Sequence, residues 1–198
     1  GIFHEVKEIK PGCAMVINRQ GSRSWRYWDI ASKVHQDNLQ QTVENVRSLV
    51  TDAIERQLVS DVPLCTLLSG GLDSSIITAV EANHYKTSQK RLHTFSVDFE
   101  SNTSYFEKNA FQQSQDQMWI DLMSERYGTI HHNVMLQQDQ LVDSLEQAML
   151  MKDLPSMADI DSSLLLFCKE LKKDFTVSLS GECADEVFGG YPWLASEA

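Results

Sequence analysis

The stretch Pro63-Leu64-Cys65-Thr66-Leu67-Leu68-Ser69-Gly70-Gly71-Leu72-Asp73-Ser74-Ser75 limits what this chain can fold into more than any other. Leu64 to Leu68 is a short apolar run, the kind buried inside a parallel sheet. Ser69-Gly70-Gly71 cannot comfortably continue that strand. Two glycines permit positive φ and leave no Cβ between backbone and ligand. Asp73, Ser74 and Ser75 then open a helix with Leu72, Ile76, Ile77, Ala79 and Val80 at its apolar positions. A glycine-rich turn feeding a helix offers free N–H groups and the positive end of the helix dipole, and so seats an anion. The expected occupant is phosphate, with two hydroxyls as extra donors and one carboxylate placed to hold a metal.

The rest of the chain supplies the frame for that turn. Residues 1–30 contain short possible strands at Val6 to Ile9, Ala14 to Ile17 and Trp25 to Trp28, punctuated by Pro11-Gly12 and by Asn18 to Gly21. They read as a small antiparallel piece at the end of a preceding domain, with Trp25, Tyr27 and Trp28 packing at a domain junction. Residues 31–37 read as a polar linker. A helix is expected from about Asn38 to Val59, capped by Asp37, since Leu39, Val43, Val46, Leu49, Val50, Ala53, Ile54 and Leu58 recur at helical spacing. Further strands are expected at Leu92 to Phe99, Ile130 to Leu136 and Phe175 to Leu179. Helices are expected at Asp116 to Arg126, Gln140 to Met151 and Ser163 to Lys173, the last capped by Asp161 or Ser162. Residues 100–115 read as a long loop. Scattered methionines (Met118, Met123, Met135, Met149, Met151 and Met157) read as core filler.

Alternating strands and helices imply a parallel sheet with right-handed crossovers. Ligands of such sheets bind beyond the C-terminal ends of the strands. A second polar turn, Ser180-Gly181-Glu182-Cys183-Ala184-Asp185-Glu186, follows the last strand. Both turns therefore belong on one edge of the sheet, and Asp73, Glu182 and Asp185 converge on one cleft. Three carboxylates would repel a polyanion unless a hard cation sat between them. Magnesium fits, taking one or two protein carboxylates and filling other positions with phosphate oxygens. Asp73 and Asp185 are read as its ligands, which leaves Glu182 for proton work or for stabilising positive charge. His131 and His132 are read as structural, because neighbours on a strand point to opposite faces and do not easily hold one ion.

Composition excludes other classes. The chain has 198 residues and a formal net charge of −11, which disfavours a nucleic-acid partner. No apolar run approaches the roughly 20 residues of a membrane span, and no signal peptide is visible. Cys13, Cys65, Cys168 and Cys183 are widely spaced, as in a reduced, cytoplasmic protein without zinc. Gly1-Ile2-Phe3-His4 reads as a start within a longer protein.

The first turn lacks both the Walker pattern and the dinucleotide fingerprint. Ser-Gly-Gly-Leu-Asp-Ser-Ser instead resembles the pyrophosphate-binding loop (PP-loop) of the N-type ATP pyrophosphatases, whose fold is of the adenine nucleotide alpha hydrolase type. Those enzymes cleave ATP between the α- and β-phosphates. The second turn, Ser180 to Tyr191, resembles the S-G-E-G-x-D-E-x-F-G-G-Y signature of the glutamine-dependent asparagine synthetases. Residues 1–30 resemble the end of that family's glutaminase domain, and residues 38–198 its synthetase domain, truncated at the C-terminus. The resemblance implies asparagine biosynthesis with ATP and Mg²⁺: the aspartate side chain attacks the α-phosphorus, and ammonia from glutamine then attacks β-aspartyl-AMP, releasing AMP. It implies that Ser69, Gly70, Gly71, Ser74 and Ser75 hold the pyrophosphate. Leu67, Val97, Ser180 and Gly181 would contact adenosine, largely through backbone. Asp73 and Asp185 would hold magnesium, and Glu182 would assist the attack of ammonia. Substrates would be aspartate and glutamine or ammonia, with no membrane partner; a homodimer is left open.

The chain departs from the family pattern in three places. Cys183 stands where the family has glycine, the N-terminal glutaminase cysteine is absent (Cys13 does not match it), and the chain stops at Ala198. This segment alone is therefore expected to be inactive. A β-lactam synthetase-like or peptide-macrocyclising relative, and a nucleotide-binding domain without full activity, stay open as alternatives.

Overall fold

In the computed structural model, residues 3–100, 115–154 and 157–191 are described. The expected loop at residues 100–115 lies almost wholly outside them. The chain divides into two compact units, residues 1–44 and 45–198.

The first unit contains one antiparallel hairpin. Strands β1 (Cys13–Asn18) and β2 (Gly21–Arg26) pair from Cys13↔Arg26 to Asn18↔Gly21. At the turn, Asn18 Oδ1 accepts the Gln20 amide at 2.8 Å. Val6 to Ile9 forms no strand, and the second strand begins earlier than expected, at Gly21. The turn chemistry of Asn18 explains this, since it closes a two-residue loop and sets the register.

Helix α1 (Leu39–Gln57) starts one residue later than expected. Asn38 stands at the cap position: Asn38 Oδ1 accepts the Gln41 amide and Gln41 Oε1 accepts the Asn38 amide, both at 3.0 Å. This reciprocal pair satisfies two donors that a helix start leaves open.

The second unit is built on a four-stranded parallel sheet of β3 (Leu64–Leu67), β4 (His93–Phe99), β5 (Ile130–Leu136) and β6 (Val177–Leu179), in the order β5-β4-β3-β6. The helices are α2 (Leu72–Thr87), α3 (Gln117–Tyr127), α4 (Gln138–Lys152), α5 (Ala158–Leu171) and the short α6 (Ala184–Phe188). On one face, Ile54, Leu64 and Leu179 form a core against Val50, Leu58, Ile77 and Val80. On the other, Cys65, Phe95, Phe167 and Leu171 pack with Leu67, Val134 and Phe175. Each fully buried large apolar side chain contributes about 1.5–3 kcal/mol. Central β3 is buried on both faces, which explains its unbroken apolar run. Its one polar side chain, Thr66, donates to Glu81 of α2.

Three expectations are corrected. Helix α5 begins at Ala158, so Asp161 and Ser162 lie within it rather than capping it; both are buried, and Asp161 pairs with Lys152 of α4. Strand β6 is only three residues long. Met118, Met135, Met149, Met151 and Met157 are exposed rather than core filler. Among the described residues, all four cysteines are free thiols and no helix is long and apolar enough to cross a membrane.

Strand order fixes the site. From β3 the chain steps outward through β4 and β5, then returns to β6 on the other side of β3. The order therefore reverses between β3 and β6, the point at which open α/β sheets form a ligand crevice. Both polar turns leave the C-terminal ends of those two adjacent strands.

Candidate functional site

At this edge of the sheet lies a cleft of about 510 Å³. The first turn forms one wall. Gly70 has φ +80° and uses the left-handed region, whereas Gly71 has an ordinary φ of −71°. Gly70 must also lack a side chain, because a Cβ there would stand 2.8 Å from Asp116 O and 3.2 Å from Trp119 Cβ. The start of α3 thus presses on the turn.

Ser74 staples the loop from within. Its Oγ accepts the Ser69 amide at 3.2 Å, donates to Gly71 O at 3.1 Å and lies 3.1 Å from Ser69 Oγ. Ser74 is buried, and Thr78 in turn donates to its carbonyl at 2.8 Å. Its hydroxyl is spent on loop geometry, a role the residue pattern alone does not reveal.

The second turn closes over the first. A Cβ on Gly181 would sit 2.9 Å from Asp73 Cβ and 3.2 Å from the Ser74 amide nitrogen. Glycine at 181 therefore lets the second turn approach the N-terminus of α2 without filling the anion seat. Helix α2 has no side-chain cap, and its first amides keep the positive dipole end for a ligand.

Leu67, Ser69, Gly71, Asp73, Ser74 and Val97 line the cleft, as do Ser180, Gly181 and Glu182. Gly70 and Ser75 are outside the lining, and Gly70 faces α3. Asp185 is also outside it. It lies in the first turn of α6, with its carboxylate against Gly190, and its carbonyl accepts the amides of Gly189 and Gly190. The structure adds lining that sequence reasoning missed: Ser96 and Asp116 are polar, and Leu68, Phe95, Ile120, Leu164 and Phe167 are apolar. The apolar members come from strands and from α3 and α5, where local pattern reads simply as core.

Charge in the cleft is one-sided. Asp73, Asp116 and Glu182 line it, with no Lys, Arg or His among the described lining residues. No group of three or more His, Cys, Asp or Glu is arranged for a metal among the described residues. That set is compatible with an ion held by one or two carboxylates and completed by phosphate oxygens. Asp73 on the wall and the uncapped α2 amides fit such an ion-phosphate pair.

Cys183 has φ +69°, so it keeps a glycine-like conformation despite its side chain. Beneath the site, burial holds the Glu81 carboxyl above the usual carboxylate range, and Thr66 partly offsets this. Burial, with Glu81 nearby, pushes the Cys65 thiol up to about 12, far from a reactive thiolate. His131 and His132 point to opposite faces of β5, as expected. His132 stacks on Phe95 at 4.4 Å, while His131 bonds Thr94 and Ser96, and burial lowers its pKa.

Comparison with known proteins converges on one family. The asparagine synthase family model matches residues 45–198, the same residues as the second compact unit. The chain is 58% identical over 195 residues to asparagine synthetase [glutamine-hydrolyzing] 3 of Bacillus subtilis, covering 98% of this chain and 32% of that protein. It is 30% identical over 187 residues to asparagine synthetase [glutamine-hydrolyzing] 1 of the same organism, covering 94% of this chain and 27% of the relative. The chain thus spans about a third or less of the length of these relatives. A crystal structure of NAD+ synthetase from Burkholderia pseudomallei aligns at a TM-score of 0.40 and 10% identity, over 78% of this chain and 57% of that one, and adds nothing to the fold read above. With the family model matched across the whole sheet-bearing unit, the chain belongs to the asparagine synthase family.

Proposed function

We propose that this chain forms the nucleotide-binding part of a glutamine-dependent, cytoplasmic asparagine synthetase, with the hairpin unit ending its glutaminase domain. The reading rests above all on Gly181, which brings the second turn against an uncapped helix N-terminus in a cleft walled by carboxylates. The cleft would take ATP. The α2 amides and the Ser69–Ser75 turn would receive the pyrophosphate half, and the apolar end near Leu67 and Val97 the adenosine. Magnesium, when bound, would neutralise phosphate charge; Asp73 would hold it, and Asp185, whose carboxylate stands against Gly190 outside the cleft lining, would have to turn inward to serve as second ligand. A side-chain carboxylate oxygen of aspartate would attack the α-phosphorus. The bond to the bridging oxygen would break and pyrophosphate would leave. Ammonia would then attack the acyl carbon of β-aspartyl-AMP, AMP would depart, and the nitrogen would lose a proton. Glu182, exposed at the cleft rim, would take that proton or stabilise the cationic intermediate.

The test is isotope exchange between pyrophosphate and ATP in the full-length protein. Exchange that requires aspartate is the expected result. Exchange with a larger carboxylate but not with aspartate would move the protein to a relative with another product. Asp73→Asn should weaken MgATP binding more than metal-free ADP binding, and equal losses would remove its metal role.

A further inference from the structure

One polar chain enters the cleft from below and has no part in the reading above. It runs from Ser124 of α3 through Thr129, just before β5, and then between β4 and β5. Ser124 Oγ lies 2.7 Å from Thr129 Oγ1, and Thr129 Oγ1 lies 3.2 Å from Thr94 Oγ1. Thr94 Oγ1 lies 3.0 Å from His131 Nδ1, and His131 Nε2 lies 3.0 Å from Ser96 Oγ. Thr94 is fully buried and Ser96 nearly so. Ser96 is the end of the chain and lines the cleft.

The far end sets the direction of donation. Asn133 Nδ2 donates to Gln117 Oε1, so Asn133 Oδ1 is the free acceptor, and Ser96 Oγ donates to it over a long 3.4 Å. A hydroxyl has one proton. With that proton directed away from the ring, His131 Nε2 must carry a hydrogen and donate to Ser96. His131 Nδ1 is then the acceptor and takes the Thr94 hydroxyl proton. Thr94 accepts from Thr129, and Thr129 from Ser124. Every donor and acceptor is matched in one sense, ending on a Ser96 proton held only by a long, weak bond. Phe95 and Val97, its neighbours along β4, and Ile120 of α3 also line the cleft. An oriented polar group set among apolar lining residues fixes how a ligand lies.

We infer that Ser96, oriented by His131, donates a hydrogen bond to an acceptor atom on the nucleoside half of the bound nucleotide. The inference rests on the nucleotide reading and adds a specificity contact and its positioning residue. Ser96 stands on the strand beside the phosphate turn, not in it, so its contact belongs to base or sugar rather than to pyrophosphate.

The test is titration calorimetry on the full-length protein with MgATP and, separately, with magnesium pyrophosphate. One neutral hydrogen bond corresponds to a change of about three- to tenfold in affinity. Ser96→Ala and His131→Asn should each weaken ATP by that factor and leave pyrophosphate within about twofold. The double variant should lose no more than either single one, because both act through one hydroxyl. His131→Gln places an amide nitrogen near the Nε2 position and should recover much of the loss, as should Ser96→Thr for the hydroxyl. If His131→Asn does not fold, the Ser96 pair carries the test alone. ATP affinity untouched by Ser96→Ala, equal loss of pyrophosphate, or additive losses in the double variant would each overturn the inference while leaving the nucleotide site standing. Absence of ATP binding by the unaltered protein would instead overturn the nucleotide reading, and this inference with it.

Discussion

The two polar turns at the sheet edge are held in opposite ways. The first, Ser69 to Ser75, is stapled by its own hydrogen bonds through buried Ser74 and pinned from outside by α3 at Gly70. It feeds a helix of 16 residues. The second, Ser180 to Glu186, is largely exposed, has a non-glycine residue in the left-handed region at Cys183, and feeds a helix of five residues. It comes close to the start of α2 at Gly181, against Asp73 and Ser74. A rigid seat has thus been paired with a lightly anchored flap carrying Glu182. Binding geometry is built into the first turn, and the candidate proton-handling group sits on the second.

The sharpest way to break that contrast is Gly70→Val. Left-handed φ and the close Asp116 carbonyl both oppose a β-branched side chain, so unfolding free energy in urea should drop by about 3 kcal/mol or more. A loss under about 1 kcal/mol would mean that the first turn is not rigidly held. Next comes Gly181→Val, whose Cβ would press on Asp73 and on the Ser74 amide and force the second turn away from the seat. ATP affinity should fall more than about tenfold with a smaller loss of stability than at Gly70, since the exposed second turn can yield, and tight binding in that variant would detach the flap from the seat. Glu182→Gln should leave ATP affinity unchanged yet stop asparagine formation in the full-length protein; normal turnover would strip Glu182 of its role.

Smaller effects test the strain on the flap and the polar group beneath the seat. Cys183→Gly relieves a left-handed non-glycine residue and should raise stability by about 1 kcal/mol, read as a shift in urea midpoint. The last concerns Glu81. Burial raises its pKa in the folded state, so the unfolded chain ionises first as pH rises from the usual carboxylate value. Unfolding then releases a proton, and stability declines with pH across that window until the folded state also ionises. Glu81→Gln should flatten the decline in midpoints measured from about pH 4 upward. An unchanged slope would show that Glu81 is not its source.

Much of this was legible in residues 63–75 and 180–191. Strand β5 matches its expected bounds, and the edge shared by both turns follows from alternation of strands and helices alone. What escaped was of two kinds. Helix α5 was misplaced because Asp161 and Ser162 look like caps, whereas their buried positions and the Lys152 partner appear only once α4 and α5 pack. The apolar end of the cleft was invisible because Ile120 and Phe167 carry the same helical spacing whether they face a core or a ligand. Ser74 reads as a phosphate donor by motif, yet its geometry gives it first to the loop. Ser96 and His131 had no local signal at all, since their link spans two strands.

The strand order has a consequence for how such a chain is made. Cys65 and its neighbour across the sheet, Val177, are 112 positions apart. While the chain leaves the ribosome, β3 can pair with β4 soon after it emerges, but its other edge stays open until β6 arrives. An apolar strand with a bare edge is the surface on which nascent chains stick to one another. The seat for the ligand is thus finished last, by the same late strand that removes the hazard.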